Sequence, residues 1–190
     1  MNEVIAVYGG SFDPPHVAHT LVAAYVLSAH PVDRLLVVPT AQHPFEKRLT
    51  AFEHRVHMCE LAMSDLRRVD ISTVEQELEG PSLTLHMLRE LARRHPAAQL
   101  RLVIGSDLLA ETPGWHAFDE VRALAPPIIV GRSGHAYDED GEPLPELPDV
   151  SSTEVRRRLR AGISTDGLLN PKVAAYVREH GLYREPSVRP

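Results

Sequence analysis

Val4-Ile5-Ala6-Val7-Tyr8-Gly9-Gly10-Ser11-Phe12-Asp13-Pro14-Pro15-His16-Val17-Ala18-His19 opens on a β-prone apolar run, passes a glycine pair and a turn-rich stretch, and enters a second apolar segment. The run from Val4 to Tyr8 has the length of a buried strand and stops at glycines. Val17 to Leu27 is apolar around most of its circumference, the pattern of a helix covered on several sides. Strand, glycine loop and buried helix in this order make the first half of a βαβ unit. Ligands of such sheets settle at the carboxyl ends of strands, where glycines let backbone N–H groups approach a phosphate. His16 and His19 stand three apart at the helix start, so both imidazoles face one side and can donate to one polyphosphate. An isolated HxxH reads more simply as an exposed pair or a weak metal site. Its position after a strand and a glycine loop favours the phosphate reading here.

Outward from this string, Arg34 to Pro39 reads as a second buried strand, and Thr50-Ala51-Phe52-Glu53 as a capping box opening a helix to about Ser64. Val69 to Ser72 gives a short strand, Ser82 can cap a helix reaching Arg94, and Leu100 to Ile104 and Ile128 to Val130 give two more buried strands. Continuous apolar strands separated by helices predict an α/β fold: a Rossmann-like, doubly wound parallel sheet with helices on both faces. C-terminal helices follow. Tyr137 to Asp149 is acidic and carries Pro143, Pro145 and Pro148, which predicts an exposed loop. Ser151 to Glu154 is a further capping box, for a helix through Arg160. Asn170-Pro171 supplies an N-cap and N1 proline for a last helix closed by Gly181. The expected organisation is a single domain over residues 1–183, with 184–190 a frayed tail.

Composition narrows the function. A chain of 190 residues with 43% apolar content can bury one sizeable core. A net charge of −6 argues against coating nucleic acid, which needs a surplus of Lys and Arg on some face. Cys59, the only cysteine, lies among Met58, Leu61 and Ala62 in a helical pattern and reads as a buried small hydrophobe. The Val4–Tyr8 run has no basic leader and reads as a strand rather than a signal peptide, and no stretch reads as long enough to span a membrane. A cytoplasmic enzyme without nucleic-acid or membrane partners is expected; a homo-oligomer is left open.

Val150-Ser151-Ser152-Thr153-Glu154-Val155-Arg156 supplies a second anion site. With Ser151 as cap, free N–H groups at Ser152 and Thr153 meet a positive helix end, and Arg156 lies one turn on, beside Thr153. Val155 and Leu159 then turn to the core. The plain alternative is a capped helix whose Arg156, Arg157, Arg158 and Arg160 form a solvated face. The two strings together decide between these. Gly9 to His19 resembles the GGSFDPxHxGH signature of the HxGH nucleotidyltransferases, with Ala18 where the family carries glycine, and Val150 to Arg156 resembles its ISSTxIR motif. In that family the small residue lets the adenine ring approach closely.

Weaker segments resemble the nicotinate mononucleotide adenylyltransferases within that superfamily. Ile104-Gly105-Ser106-Asp107 is similar to a GxD turn whose carboxylate accepts from a ribose; Asp107 as the N-cap of the next helix is the alternative. Trp115 resembles the aromatic that stacks on the pyridine ring, and reads equally as a core tryptophan. Pro81-Ser82-Leu83-Thr84-Leu85-His86-Met87-Leu88 is similar to a helix start whose amides hold the pyridine carboxylate, with His86 and Met87 departing from the usual Asp-Thr. Pro39 to Lys47 occupies the place of a loop that brings a lysine to the phosphates, and Lys47 reads equally as a surface lysine. Val130-Gly131-Arg132 and Tyr176 to Tyr183 also look like family segments.

The resemblance implies attack of the acceptor phosphate on the α-phosphorus of ATP, with Mg²⁺ travelling with ATP and no metal ligands on the chain. His16, His19, Lys47 and Arg156 are the catalytic candidates. ATP would meet Gly9, Gly10, Ser11, Phe12, His19, Gly105, Asp107, Ser152, Thr153 and Arg156; nicotinate mononucleotide would meet Ser11, Lys47, Ser82, Leu83, Thr84, Trp115 and Arg132. Rivals are a nicotinamide mononucleotide or dual-specificity enzyme, a pantetheine-phosphate adenylyltransferase, a cytidylyltransferase, and a nucleotide-binding sensor without turnover. Trp115 and Pro81-Ser82 tilt against the pantetheine-phosphate and cytidylyltransferase readings, and the presence of both His19 and Arg156 against the sensor.

Overall fold

A computed structural model describes residues 2–42, 49–80, 83–132, 134, 137 and 141–184. Its centre is a parallel sheet of five strands: β1 (Val4–Gly10), β2 (Arg34–Pro39), β3 (Val69–Ile71), β4 (Gln99–Gly105) and β5 (Pro127–Val130), in the order β3-β2-β1-β4-β5. The glycine pair, read from the sequence as the end of the strand, continues β1: Gly9 and Gly10 pair with Val38 and Pro39. Ladder pairing uses only the backbone, so glycine can extend a strand while leaving its side-chain space empty. Chain order reverses between β1 and β4, and the crevice between their carboxyl ends is the ligand position of an open α/β sheet.

Helices cover both faces because the strands are apolar on both. Ile5, Val7, Leu36, Leu102 and Ile104 face α3 (Thr84–Arg94) and α4 (Phe118–Leu124), where Leu85, Leu88, Leu91 and Val121 complete one core. Ala6, Leu35, Val37, Val103 and Ile128 face α1 (Val17–Ala29) and α2 (Phe52–Met63), with Val22, Val26, Cys59 and Met63 in the opposite core. Cys59 is fully buried and its thiol is pushed far up by desolvation, as suits an inert core residue.

A third cluster docks α5 (Ser152–Arg160) and α6 (Pro171–Glu179) onto α1 and α2 through Ala18, Met58, Ala62, Val155, Val173 and Val177. Local chemistry sets their ends. Ser151 Oγ accepts from the Glu154 amide at 3.2 Å, and Asn170 Oδ1 from the Lys172 amide at 2.9 Å. At the far end of α6, Gly181 (φ 64°) lets the Leu182 amide reach back to the Val177 carbonyl at 3.0 Å.

Two expected caps fall elsewhere. Ala51, not Thr50, caps α2 and makes no side-chain bond, because Thr50 is drawn off: its amide donates to Asp13 Oδ2 at 3.3 Å. Leu83 caps α3, and Ser82 lies outside the described residues. Residues 141–149 contain no helix or named strand, in keeping with the expected loop, and Leu147 bridges to Arg132. Its backbone lies so near Gly131 that a Cβ there would come within 2.5 Å of the Pro145 oxygen.

Ala18 is fully buried and its methyl belongs to this third cluster. Ala18→Gly is therefore expected to lower the unfolding free energy by about 1–2 kcal/mol, combining up to ~1 for helix propensity with ~0.8 for a buried methyl. Urea denaturation measures it; unchanged or greater stability would contradict the packing role.

Candidate active site

The loop from Ser11 to Pro15 leaves the sheet before the first helical turn, so its polar groups are bonded by side chains from other elements. Arg55, on the buried face of α2, donates from Nη1 to the Ser11 carbonyl at 2.9 Å and from Nε to the Thr50 carbonyl at 2.8 Å. Asp13, almost wholly buried, accepts at Oδ1 from the Tyr183 hydroxyl at 2.6 Å. Arg156 Nη1 donates to the Asp13 carbonyl at 2.6 Å, and Ser152 Oγ to the Pro14 carbonyl at 3.0 Å. The two outer motifs, far apart in the chain, thus lie against one another with the starts of α1 and α5 side by side. The amides of Ser152 and Thr153 precede the first bonded amides of α5, those of Glu154 and Val155. The helix end therefore offers free donors and a positive dipole.

His16 and His19 are brought together more closely than helix spacing alone requires: their rings stack with centroids 3.8 Å apart. The His16 amide donates to His19 Nδ1 at 3.1 Å, which leaves the His19 proton on Nε2 as a donor. Burial lowers the His16 pKa to about 4, with the charge of Arg132 adding to it. Burial, then His16 and Arg132, push His19 well below the ordinary histidine value. Both imidazoles are neutral at physiological pH, hydrogen-bond donors without charge. His16 Nδ1 is buried with no hydrogen-bond partner among the described residues.

Beside them a cavity of about 140 Å³ opens between the ends of β1, β4 and β5, lined by Tyr8, Gly9, His19, Asp107, Arg132 and neighbouring apolar residues. Nothing would lie within 4 Å of a Cβ on Gly9, whereas a Cβ on Gly105 would collide with the Asp107 carboxylate. Glycine at 105 is what lets Asp107 fold back over the strand end. Gly105, not Asp107, holds the cap of the 3₁₀ segment Ser106–Gly114, so the carboxylate is not used as a cap. Arg132 Nε lies 3.6 Å from Asp107 Oδ1, and the Arg132 amide donates to the Ser106 hydroxyl at 3.0 Å. A larger hollow of about 360 Å³ around Asn2, Glu3 and His95–Ala98 lies at the opposite, amino ends of the strands, remote from these groups.

Two segments distant in sequence, the first turn of α3 and the stretch at Trp115, come near each other. His86, in the first turn of α3, lies 6.2 Å from His116 ring to ring, which sets the helix start beside Trp115. Trp115 is half-buried, packed on the α3-side core and edge-on to Phe118 at 5.7 Å. Leu83 and Thr84 stand at a helix end with no acidic residue in its first turn. Phe12 is buried in a left-handed backbone conformation (φ 47°), its ring 4.9 Å from that of His19. Lys47 lies outside the described residues.

Sequence reasoning missed Arg55, Asp13 as an anchor, and Tyr183. Arg55 carried a signal, since it occupies the 55–58–59–62 face that is otherwise apolar. Ala18, placed near adenine by the resemblance, has its methyl in the core between α1 and the C-terminal helices.

Residues 7–158 match the family described as Cytidylyltransferase-like. A protein of Anaeromyxobacter sp. (strain K) named "Probable nicotinate-nucleotide adenylyltransferase" is 45% identical over 183 residues, covering 95% of this chain and 96% of its own. One of the same name from Myxococcus xanthus is 38% identical, covering 94% of each chain. The solved Plasmodium falciparum nicotinic acid mononucleotide adenylyltransferase, complexed with NaAD, superposes with a TM-score of 0.81 at 23% identity, covering 95% of this chain and 97% of that one.

The neutral histidines carry a pH signature. Their folded pKa values lie below the unfolded value, so between about pH 6.5 and pH 4 the unfolded chain binds protons that the folded chain does not. Their stabilising contribution is complete above about pH 6.5 and is lost as pH falls through this window, with a slope up to about 1.4 kcal/mol per pH unit per histidine. Urea unfolding at pH 7.5 and 5.0 is expected to show a smaller acid loss in His16→Gln than in the wild type. Equal losses would contradict neutral burial.

Proposed function

Because the chain belongs to the nicotinate-nucleotide adenylyltransferase family, within the Cytidylyltransferase-like group, we infer that it moves AMP from ATP to nicotinate mononucleotide, giving deamido-NAD and pyrophosphate in NAD biosynthesis. The observation that supports this most is the contact of Arg156 and Ser152 with the carbonyls of Asp13 and Pro14. It brings two helix starts, two neutral imidazoles and a guanidinium to one place, a set suited to a polyphosphate rather than to covalent catalysis.

In the reaction an acceptor phosphate oxygen forms a bond to the α-phosphorus of ATP while the bond to the departing pyrophosphate breaks in line. No group on the protein needs to be covalently modified. His19 Nε2–H, His16 and Arg156 donate to the triphosphate, and Lys47 is assigned to the same task. Catalysis then rests on positioning and on donors fixed before charge develops. Gly9, Gly10, Ser11 and Phe12 form the wall over which the nucleotide lies. Gly105 and Asp107 take the ribose, whose hydroxyls can donate to the carboxylate, while Arg132, paired with Asp107 through Nε, is assigned to the acceptor. Ser152 and Thr153 offer their amides to phosphate oxygens. Mg²⁺ enters with ATP as part of the substrate. Among the described residues no group of three or more His, Cys, Asp or Glu side chains could hold a metal ion, and no step is assigned to a protein-bound one. With free nucleotides as substrates, the reaction is assigned to the cytoplasm. Among the described residues no helix is long and apolar enough to cross a membrane.

Acceptor choice rests on the start of α3. Amides at Leu83 and Thr84, in a positive dipole end without a first-turn acid, favour a ring carboxylate over a neutral amide. Trp115 beside it offers a face for the pyridine ring. Pyrophosphate release from ATP is therefore expected to show a higher kcat/KM with nicotinate than with nicotinamide mononucleotide at one pH; equal values or the reverse order would defeat acid specificity and leave adenylyl transfer standing. His19→Ala, normalised to folded protein, is expected to lower kcat by about 10²–10³-fold, the loss of one preorganised donor. Wild-type kcat in that variant would remove His19 from the chemistry.

A further inference from the structure

We propose that Tyr183 is a positioning residue for the site: by donating its hydroxyl to Asp13 Oδ1, it holds the Ser11–His16 loop in the form that presents the two histidines to ATP. The inference rests on the function proposed above.

Tyr183 comes from the far end of the chain and reaches Asp13 at 2.6 Å. Its place is set by α6, whose Val173 and Val177 pack against Met58 and Ala62 of α2, and by the reversal at Gly181. Tyr183 itself adopts a left-handed backbone (φ 61°), a conformation that costs a residue bearing a Cβ and persists where its surroundings hold it. Burial, reinforced by Asp13, pushes the phenol pKa far up, so the hydroxyl stays protonated and remains a donor. The Thr50 side chain, close to the phenol, opposes this shift.

Asp13 is 3% exposed, and its other bonds among the described residues are the Thr50 amide to Oδ2 and Arg156 to its carbonyl. Without the hydroxyl, Oδ1 is left as a buried oxygen lacking a donor among the described residues, and the loop must move to find water or a new partner. That loop leads into His16, and His16 fixes the tautomer of His19 through its amide. A shift there moves both donors relative to the phosphates while the start of α3 and Trp115 stay in place. ATP recognition should therefore suffer more than acceptor recognition.

The test is Tyr183→Phe, which removes one oxygen from a side chain of the same shape. The affinity for an ATP analogue with a methylene between its α- and β-phosphates is read by calorimetry, and KM for each substrate by pyrophosphate release. The expected result is a rise of at least fivefold in the analogue Kd and in KM for ATP, with KM for nicotinate mononucleotide changed less than twofold. Thr50→Val, which replaces the hydroxyl next to the Tyr183 phenol with a methyl at the residue whose amide holds Asp13 Oδ2, should shift the same quantities in the same direction, and it carries the test if Tyr183→Phe does not fold. Tyr176→Phe loses only its bond to His54 on the α2–α6 contact and should leave the analogue Kd unchanged. Unchanged Kd and KM for ATP in folded Tyr183→Phe, or equal shifts for both substrates, would overturn the proposal. A wild type that binds the analogue but does not turn over nicotinate mononucleotide would sink the proposed reaction while the Kd comparison still decided the role of Tyr183. A wild type that does not bind the analogue would overturn both.

Discussion

Between the last residue of β1 and the first turn of α1, the chain has to bury polar groups that neither ladder nor helix can bond. The carbonyls of Ser11, Asp13 and Pro14 and the Asp13 carboxylate all lie in this turn. Buried groups of this kind each cost about 1–3 kcal/mol when left without partners. Their donors are Arg55 from α2, Thr50 from the residues before it, Ser152 and Arg156 from α5, and Tyr183 from beyond α6. The same bonds that satisfy the turn therefore fix where α5 lies. Packing of Val155, Val173 and Val177 against Ala18 and Met58 supplies the apolar part of that docking; the hydrogen bonds supply its register.

From this arrangement follows the electrostatic character of the site. Burying His16 and His19 against Phe12 and each other removes their charge, and Arg132 reinforces the effect. Donors that are neutral when free need not be stripped of a strongly bound hydration shell before meeting phosphate. Among the described residues positive charge is left to the guanidiniums of Arg132 and Arg156, both half-buried and held by protein oxygens, so that part of the site is attractive to anions without becoming a loose cluster of cations.

Legibility in the sequence followed how local each cause was. Arg34–Pro39 was readable to the residue because an unbroken apolar run has few other solutions, and the Ser151 and Asn170 caps because cap chemistry acts within three residues. The order of sheet and helices followed from alternation alone. Thr50 failed as a cap because Asp13, distant in sequence, competes for its backbone, and no local pattern records that competition. Arg55 was hidden for a related reason: an arginine in a helix reads as solvated unless the carbonyls it serves are known, and these belong to Ser11 and Thr50. The histidine pair was found as a motif, but its stacking and neutrality depend on burial. Ala18 was placed beside adenine through resemblance, while its methyl points to helices whose docking only the folded chain shows. Lys47 and Ser82 fall outside the described residues.

The joining of the two outer motifs into one phosphate site is tested most directly by a crystal structure of the protein with the α,β-methylene analogue of ATP. The expected result places the triphosphate within hydrogen-bonding distance of His19 Nε2 and of the Ser152 and Thr153 amides, with the ribose against Asp107. Phosphates lying away from the start of α5, or the nucleotide in the hollow by Asn2 and His95, would contradict it.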